Sequence, residues 1–242
     1  MRYYIAAAAV LMAGLSACSS QNSVMEAQEL QQQKLTLQDV VPAMAPKTVE
    51  AKAKQRKFLK ENMSRFKNRK LASDFYVLQA RRIFNEDKLD SATLFFNRAW
   101  LMDSTNNDVY WGYGLVFGKQ EQYDKSLFIL YRALEKDSQN PRLLTDVATT
   151  HLARFYQHSS LDDLRQSKKL LEQALKLEPE NAADTYYKLA VNSYYLRKYA
   201  DAWDYLHQSI RQDKNKEDKT FIAALLEKEQ DPQGVYSDQQ VQ

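Results

Sequence analysis

Residues 107–140, NDVYWGYGLVFGKQEQYDKSLFILYRALEKDSQN, carry the pattern from which the fold of this chain can be read. Apolar and small residues recur there every three or four positions, which is the spacing of one face of an α-helix. Small residues at Gly114, Ser126 and Ala133 would let two helices approach closely. A bulky residue such as Leu130 fills the gap between the ridges of the facing helix. The stretch therefore predicts two packed helices joined by a short turn.

The same size pattern occurs in three further blocks, at residues 73–106, 141–182 and 183–216. Four occurrences of one pattern indicate a repeat architecture rather than a single core. Small residues recur at positions eight, twenty and twenty-seven of each block, and bulky residues at positions four and twenty-four. The small residues are Ala80, Gly114, Ala148, Ala190, Ala92, Ser126, Ser167, Ala202, Ala99, Ala133, Ala174 and Ser209; the bulky ones are Tyr76, Tyr110, Leu144, Tyr186, Phe96, Leu130, Leu171 and Leu206.

These blocks resemble the tetratricopeptide repeat (TPR), a helix–turn–helix unit of about 34 residues. The resemblance implies an all-α, right-handed superhelical solenoid of four repeats that is closed by a C-terminal helix. Apolar residues between Phe221 and Leu226 predict that capping helix within residues 217–230, and residues 231–242 are expected to be a disordered tail. In the longer third block we expect residues 157–160 to connect the helices. Ser160 and Asp163 there have the spacing of a capping box.

The N-terminal residues have the pattern of an export signal. Arg2 precedes an apolar run from Ile5 to Leu15, which is too short to span a bilayer. The run ends in LSAC, with Cys18 last, and resembles the bacterial lipobox. The resemblance implies that residues 1–17 are a signal peptide and that Cys18 carries diacylglycerol and an N-acyl chain such as palmitate. Because no Asp follows Cys18, it also implies an outer-membrane lipoprotein facing the periplasm; the alternative is an ordinary secretory signal.

Two segments separate this signal from the repeats. Residues 18–46 are rich in Gln and lack apolar periodicity, so we expect a flexible tether. Residues 47–72 are strongly basic, with a net charge of +8 between Lys47 and Lys70. Apolar residues from Phe58 to Phe66 recur there at helical spacing and predict an amphipathic helix. That helix either covers the first repeat or binds anionic lipid headgroups or an acidic partner.

Composition excludes several classes of function. The 5 Gly and 5 Pro argue against a turn-rich β-fold, and the single Cys excludes an internal disulfide or a thiolate zinc cluster. A net charge of +3 is too small to suggest nucleic-acid binding. His151, His158 and His207 form no metal-binding motif, and no nucleophile elbow occurs. We therefore expect no enzyme activity, no metal, no small-molecule substrate and no cofactor apart from the lipid on Cys18.

The TPR resemblance implies a partner-binding groove formed by the first helix of each repeat. Exposed aromatic residues beside Arg favour an apolar or amphipathic protein segment as the partner. We therefore predict a scaffold that binds other envelope proteins. The alternatives are a permanent subunit of an outer-membrane assembly, secretion or pilus machine, and a recruiter of peptidoglycan enzymes. The candidate groove residues are Val77, Arg81, Phe84, Asn85, Asp108, Trp111, Leu115, Lys119, Arg142, Thr145, Thr149, Leu152, Asp184, Tyr187, Val191, Tyr194 and Tyr195.

Overall fold

A computed structural model describes residues 35–180 and 182–236, and within these ranges it contains eleven α-helices and no β-strand. The predicted signal peptide, Cys18 and most of the predicted tether lie outside the described residues. Two short 3₁₀ segments, Pro42–Met44 and Lys214–Lys216, accompany the helices. The helices are α1 (Leu37–Val40), α2 (Val49–Met63), α3 (Arg69–Asn85), α4 (Leu89–Met102), α5 (Asn107–Lys119), α6 (Tyr123–Lys136), α7 (Pro141–His158), α8 (Leu161–Leu177), α9 (Ala183–Tyr195), α10 (Tyr199–Gln212) and α11 (Lys219–Leu226).

Helices α3 to α10 form four consecutive pairs, and each pair packs on the next. The starts of α5 and α7 follow from local chemistry. The Asn106 side chain accepts a hydrogen bond from the amide of Asp108, and Asn140 accepts from Arg142 and Leu143. Asn is a preferred helix cap because its side-chain oxygen satisfies an amide that has no partner in the helix. The all-α helical solenoid predicted from the repeats is confirmed.

Small residues are required where helices cross, both within a pair and between successive pairs. A methyl group at Gly114 would lie 2.4 Å from Leu130 of the same pair, and one at Gly112 would lie 2.0 Å from the Phe96 ring of the preceding pair. Ala133 is completely buried at the corresponding crossing in α6. The small–large alternation therefore reports direct contact between helices, as the size pattern predicts.

Serines at the small positions also connect the helices by hydrogen bonds. Ser126 in α6 donates to the carbonyl oxygen of Gly114 at 2.8 Å, and Ser209 in α10 donates to that of Ala183 at the same distance. Each bond satisfies a hydroxyl that would otherwise be buried without a partner. A Ser at these positions is thus small enough for close packing, and its hydrogen bond fixes the register between the two helices.

The structure differs from the predicted tether at its C-terminal end. Val40 and Val41 are completely buried, Ala43 is nearly so, and this segment packs against α4 and α6. The Gln55 side chain donates to the carbonyl oxygen of Ala43 at 3.0 Å. Three closely spaced apolar residues are too few to show periodicity in the sequence, yet their burial is enough to order residues 37–46.

The predicted basic helix at residues 47–72 is divided into two helices. Helix α2 ends at Met63, and α3 begins at Arg69 after Asn68, whose side chain accepts from the Leu71 amide at 2.8 Å. Phe58 and other apolar residues of this segment pack on the core, whereas Met63 is 60% exposed. Helix α2 therefore covers part of the first repeat while its lysines remain exposed.

A buried hydrogen bond attaches α2 to the first repeat. The Tyr76 hydroxyl in α3 donates to the side-chain oxygen of Asn62 at 2.6 Å. The Asn62 amide group in turn donates to the carbonyl oxygen of Phe58 at 2.8 Å. Because both polar groups are satisfied within the protein, this contact fixes the end of α2 against α3.

The third repeat accommodates its extra residues in longer helices. Helix α7 continues through His158, so Gln157 and His158 are helical rather than part of a connection. The predicted capping box is wrong, because the Ser160 side chain accepts no capping hydrogen bond. The Asp163 carboxylate instead accepts from Arg154 and lies 2.7 Å from Nδ1 of His151. The hydrogen bonds of the Asp163 carboxylate to these partners on α7 thus replace the local capping bonds that the sequence predicts.

Residues 231–236 are ordered, so the predicted disorder from residue 231 is wrong for this part; residues 237–242 lie outside the described residues. Asp231 is buried and lies 2.7 Å from Nε2 of His207. Its carboxylate also accepts hydrogen bonds from three backbone amides, those of Gln233, Val235 and Tyr236. The rings of Trp203, His207 and Tyr236 stack on each other. The contact between His207 and Asp231 spans 24 positions, so it leaves no local periodic signal.

Candidate protein-binding groove

A groove of about 1130 Å³ runs across the inner helices α3, α5, α7 and α9. Its floor and walls combine aromatic, aliphatic and charged side chains from all four repeats. The lining residues are Arg81, Phe84, Asn85, Asp108, Trp111, Leu115, Asp137, Gln139, Asn140, Pro141, Arg142, Thr145, Asp146, Ala174, Glu178, Ala182, Asp184, Thr185 and Lys188. A concave, mixed surface of this kind suits an extended or helical protein segment.

Trp111 in α5 is the central side chain of the groove. Its indole Nε1 donates to the Asp146 carboxylate in α7 at 2.7 Å. The Arg81 guanidinium of α3 lies over the indole ring, 5.5 Å from its centroid, and donates to Asp108 at 2.9 Å. Three successive repeats are thus connected through one tryptophan. The half-buried ring is held in a fixed orientation, which lowers the entropy cost of binding a partner.

The carboxylate next to Trp111 has an unusual environment. Burial raises the pKa of Asp146, and this effect is only partly offset by the hydrogen bond from Trp111 and by the charge of Lys188 in α9. A partly desolvated carboxylate in a groove interacts strongly with a donor or a cation that arrives with a ligand. Asp146 is therefore suited to recognise a polar group within an otherwise apolar partner.

The structure brings most of the predicted groove residues from the first three repeats together. Lys119 lies outside the groove, where its ammonium group contacts Asp87 and the Phe84 ring. Thr149 is exposed outside the lining, and Val77 and Leu152 are buried. The predicted residues that line the groove are Arg81, Phe84, Asn85, Asp108, Trp111, Leu115, Arg142, Thr145 and, from the fourth repeat, Asp184.

The aromatic residues of the fourth repeat do not line the groove. The Tyr187 hydroxyl donates to Asp218 at 2.6 Å, and its ring packs 5.8 Å from that of Phe221. Tyr194 also packs on Phe221, with the ring centroids 5.6 Å apart. Both residues are therefore covered by the C-terminal α11, which takes the position of a further inner helix.

Two other predicted residues of the fourth repeat also lie away from the groove. Tyr195 is 41% exposed and forms a separate aromatic cluster with Phe155 and Tyr156. Val191 is absent from the groove lining. The register of the fourth repeat places these residues on the inner helix, but the surface that they form is not continuous with the groove.

Sequence reasoning missed Asp146 and Lys188, which both occupy the sixth position of their repeats. The family positions used for the prediction skip this position. The sequence nevertheless indicates a special environment at this position, because the second repeat has Gly112 there whereas the third and fourth repeats have charged residues. Charged residues at a position that faces the preceding repeat indicate that this position borders the groove and not the core.

A second polar cluster lies on the outer side, between the second and third repeats. The Tyr131 hydroxyl is 2.7 Å from Nε2 of His151, and Nδ1 of that ring is 2.7 Å from Asp163. Burial lowers the pKa of His151 despite the opposing effect of Asp163, so the neutral ring donates from Nδ1 and accepts at Nε2. Arg154 connects Asp163 to Asp124. Burial raises the pKa of Tyr131, which keeps this phenol a poor nucleophile.

Two other kinds of site are not found within the described ranges. No group of three or more His, Cys, Asp or Glu side chains there could hold a metal ion. None of the described helices combines the length and the apolar character that a bilayer span requires.

Comparison with known proteins identifies the fold. No protein-family model and no curated protein sequence matches the chain. A solved structure of Pseudomonas aeruginosa pilF has a TM-score of 0.56 and 20% identity, covering 72% of this chain and 81% of its own. TTC0263, a thermophilic TPR protein from Thermus thermophilus, has a TM-score of 0.53 and 14% identity, covering 64% of this chain and 80% of its own. The chain therefore has the fold of a tetratricopeptide-repeat solenoid.

Proposed function

We propose that this protein is a non-catalytic scaffold that binds a protein segment in the groove of its solenoid. The observation that carries the proposal is the Arg81–Trp111–Asp146 arrangement, which spans three repeats at the centre of the groove. Trp and Arg contribute most to binding energy at protein interfaces. The apolar ring and the adjacent desolvated carboxylate favour an amphipathic segment that brings both an apolar side chain and a hydrogen-bond donor.

The proposal includes an anchor at Cys18. The LSAC sequence after a short apolar run supports lipidation of this cysteine by diacylglycerol and an N-acyl chain. Two or three acyl chains hold a protein stably at a membrane, whereas one chain does so only marginally. With such an anchor the solenoid acts in the bacterial envelope, at the outer membrane and facing the periplasm, and its partners are envelope proteins.

Site-specific crosslinking in cells tests the groove. A photoreactive amino acid at Leu115, inside the groove, is expected to capture a partner protein. The matched control is the same amino acid at Leu161, which is exposed on the outer helix α8. Trp111→Ala should weaken capture from Leu115 at least tenfold, since hot-spot residues contribute about 2 kcal/mol or more. Equal capture from both positions, or full capture by Trp111→Ala, would place the partner elsewhere.

A separate experiment tests the anchor. Cells expressing the wild-type protein are expected to incorporate labelled palmitate into it, and cells expressing Cys18→Ser are not. The mutant protein should remain unprocessed or become extractable without detergent. Label retained in Cys18→Ser would refute lipidation at this residue while leaving the groove proposal unaffected.

A further inference from the structure

The N-terminal end of the solenoid has an apolar face that the rest of the described chain covers only at one edge. Leu71, Phe75 and Leu78 of α3 are 48%, 43% and 63% exposed. Their spacing of four and three residues places them on one side of the helix. The opposite side, which includes Tyr76 and Val77, is buried. A contiguous exposed apolar face of this kind indicates an interaction surface.

The second repeat shows what this face contacts in the interior of the solenoid. The positions equivalent to Phe75 and Leu78 are Val109 and Gly112, which are buried against the preceding repeat. Within the described residues no repeat precedes the first one, and α2 with the segment after it covers only the far edge of this face. The Phe66 ring of that segment lies 5.4 Å from the ring of Phe75 and borders the open face.

The residues of this face do not suit the stacking of a further repeat, whether from this chain or from a second copy. Leu78 occupies the position at which Gly112 allows the Phe96 ring to approach. Arg82 occupies the position of Val116, which is 2% exposed in the second repeat. A stacked repeat would clash with the leucine and would bury the charge of the arginine without a partner, which is strongly unfavourable. The occupant must therefore accept cations beside apolar side chains.

The charge around the face is strongly positive. Between Lys47 and Arg82 there are twelve Lys or Arg and only three acidic residues. Two of these acids are already paired, Glu61 with Lys57 and Asp74 with Lys70. Apolar side chains surrounded by basic ones bind an anionic membrane surface, where the former enter the interface and the latter contact headgroups.

We propose that this end of the solenoid, formed by α2, α3 and the segment between them, docks on a bilayer of anionic lipids. Leu71, Phe75 and Leu78 enter the boundary between headgroups and acyl chains. The basic residues that contact lipid phosphates are Arg65 and Lys67, exposed on either side of Phe66, and Arg82. The docking needs no acyl group on Cys18 and would hold the open groove at a fixed orientation to the membrane.

Vesicle binding tests this proposal with a chain that begins at Ser19 and therefore lacks Cys18 and the apolar run. The helices from Leu37 onward form one compact unit with its own core, so this chain keeps the entire solenoid. It is expected to sediment with vesicles of phosphatidylcholine and phosphatidylglycerol and not with phosphatidylcholine alone. Equal binding to the two kinds of vesicle, or no binding to either, would overturn the proposal.

Matched variants identify the surface. Leu71→Ser with Leu78→Ser, and separately Arg65→Gln with Lys67→Gln, should each weaken binding by about tenfold or more, as expected for the loss of two inserted leucines or two headgroup contacts. Circular dichroism verifies folding of every variant.

Control variants change similarly exposed residues of α8 and should bind normally. They are Leu161→Ser with Leu177→Ser, and Lys169→Gln with Lys176→Gln. Equal loss of binding in test and control variants, or a dimer that the leucine variant dissociates, would refute membrane docking.

Discussion

Gly112 and Gly118 have different surroundings, although both lie in α5. A methyl group at Gly112 would lie 2.0 Å from the buried Phe96 ring. A methyl group at Gly118 would lie at ordinary contact distance, 3.4 Å from the Ser126 hydroxyl and 3.9 Å from that of Thr150. The sequence alone does not distinguish these glycines. Their surroundings predict opposite effects of the same substitution.

Gly112→Ala is expected to lower the free energy of unfolding by about 1–3 kcal/mol, because the added methyl group overpacks the core against Phe96. Gly118→Ala is the matched control and should be neutral or stabilising by up to about 1 kcal/mol, since Ala has the higher helix propensity. Urea unfolding followed by circular dichroism measures both. Equal effects of the two substitutions would contradict the contact between Gly112 and Phe96.

The His151 cluster makes stability depend on pH. Burial lowers the pKa of His151. Burial opposes ionisation of Asp163 as well, but the hydrogen bonds from Arg154 and His151 outweigh it and lower the pKa of this carboxyl group. Below about pH 6.5 the unfolded chain binds a proton at His151 more readily than the folded chain does. The free energy of unfolding therefore falls as the pH decreases from about 7 to 5, and Asp163 adds a further decrease below about pH 4.

His151→Gln is expected to flatten the pH dependence between about pH 7 and 5, because the amide can occupy the ring position without titrating. Unfolding in urea at several pH values measures this difference against the wild type. His158→Gln, in an exposed residue of the same helix, is the control and should leave the pH dependence unchanged. An unchanged slope in His151→Gln would mean that the pKa of His151 is the same in the folded and unfolded states and would contradict this prediction.

At the scale of the helices, stability depends on the close crossings within each repeat. Ala133 in α6 is completely buried at such a crossing, and its carbonyl oxygen accepts from the side chain of Asn107. The preceding residue, Arg132, is exposed on the same helix. The two neighbours therefore provide a test of the repeat register, because a shift of one residue would exchange their environments.

Ala133→Glu is expected to destabilise the protein by more than about 4 kcal/mol, since it buries an unpaired charge at a helix crossing. Arg132→Glu introduces the same side chain on the exposed side of α6 and should change stability by less than about 1 kcal/mol. Thermal unfolding monitored by circular dichroism compares them. Similar melting of the two variants would contradict the register.

The C-terminal segment is a second element whose order depends on one residue. Asp231→Ala removes the acceptor for His207 and for three backbone amides, which should lower the free energy of unfolding by about 2 kcal/mol. Hydrogen exchange at the amides of Val235 and Tyr236 is expected to become fast. Pro232→Ala, at an exposed neighbouring position, should leave this exchange slow. Slow exchange in Asp231→Ala would show that ring stacking alone orders the segment.

At the scale of the whole molecule, each repeat packs mainly on its immediate neighbours. The central helices α5 to α8 have a repeat on both sides, whereas α2 and α11 lie at the ends. Helix α2 buries a single residue, Asn62. In such an array stability is approximately a sum of repeat and interface contributions, so the ends open first.

Native-state hydrogen exchange should therefore show the slowest amides in α5 to α8 and the fastest helical amides in α2 and α11. This difference in exchange between the centre and the ends is expected to persist in Trp111→Ala, which removes contacts at the groove surface but leaves the buried helix crossings in place. Uniform protection along the solenoid would mean that the protein unfolds as one cooperative unit and would contradict this prediction.

Local sequence is sufficient to specify the repeat architecture, because helix formation and the crossing of paired helices depend on residues that are close along the chain. The small residues Gly114, Ser126 and Ala133 recur in the sequence because these short-range helix contacts require them. The sequence also predicts the N-terminal signal and the lipidation of Cys18, and both stay predictions because these residues lie outside the described ranges.

Tertiary contacts, by contrast, determine which inner-helix residues are open to a partner. Trp111 and Asp146 meet across 35 positions in the sequence. Leu78 is exposed because no repeat precedes it in the described part of the chain, although the equivalent Gly112 is buried. Exposure in a solenoid depends on which neighbour is present on each side, and that neighbour is distant in sequence, so no local pattern encodes it.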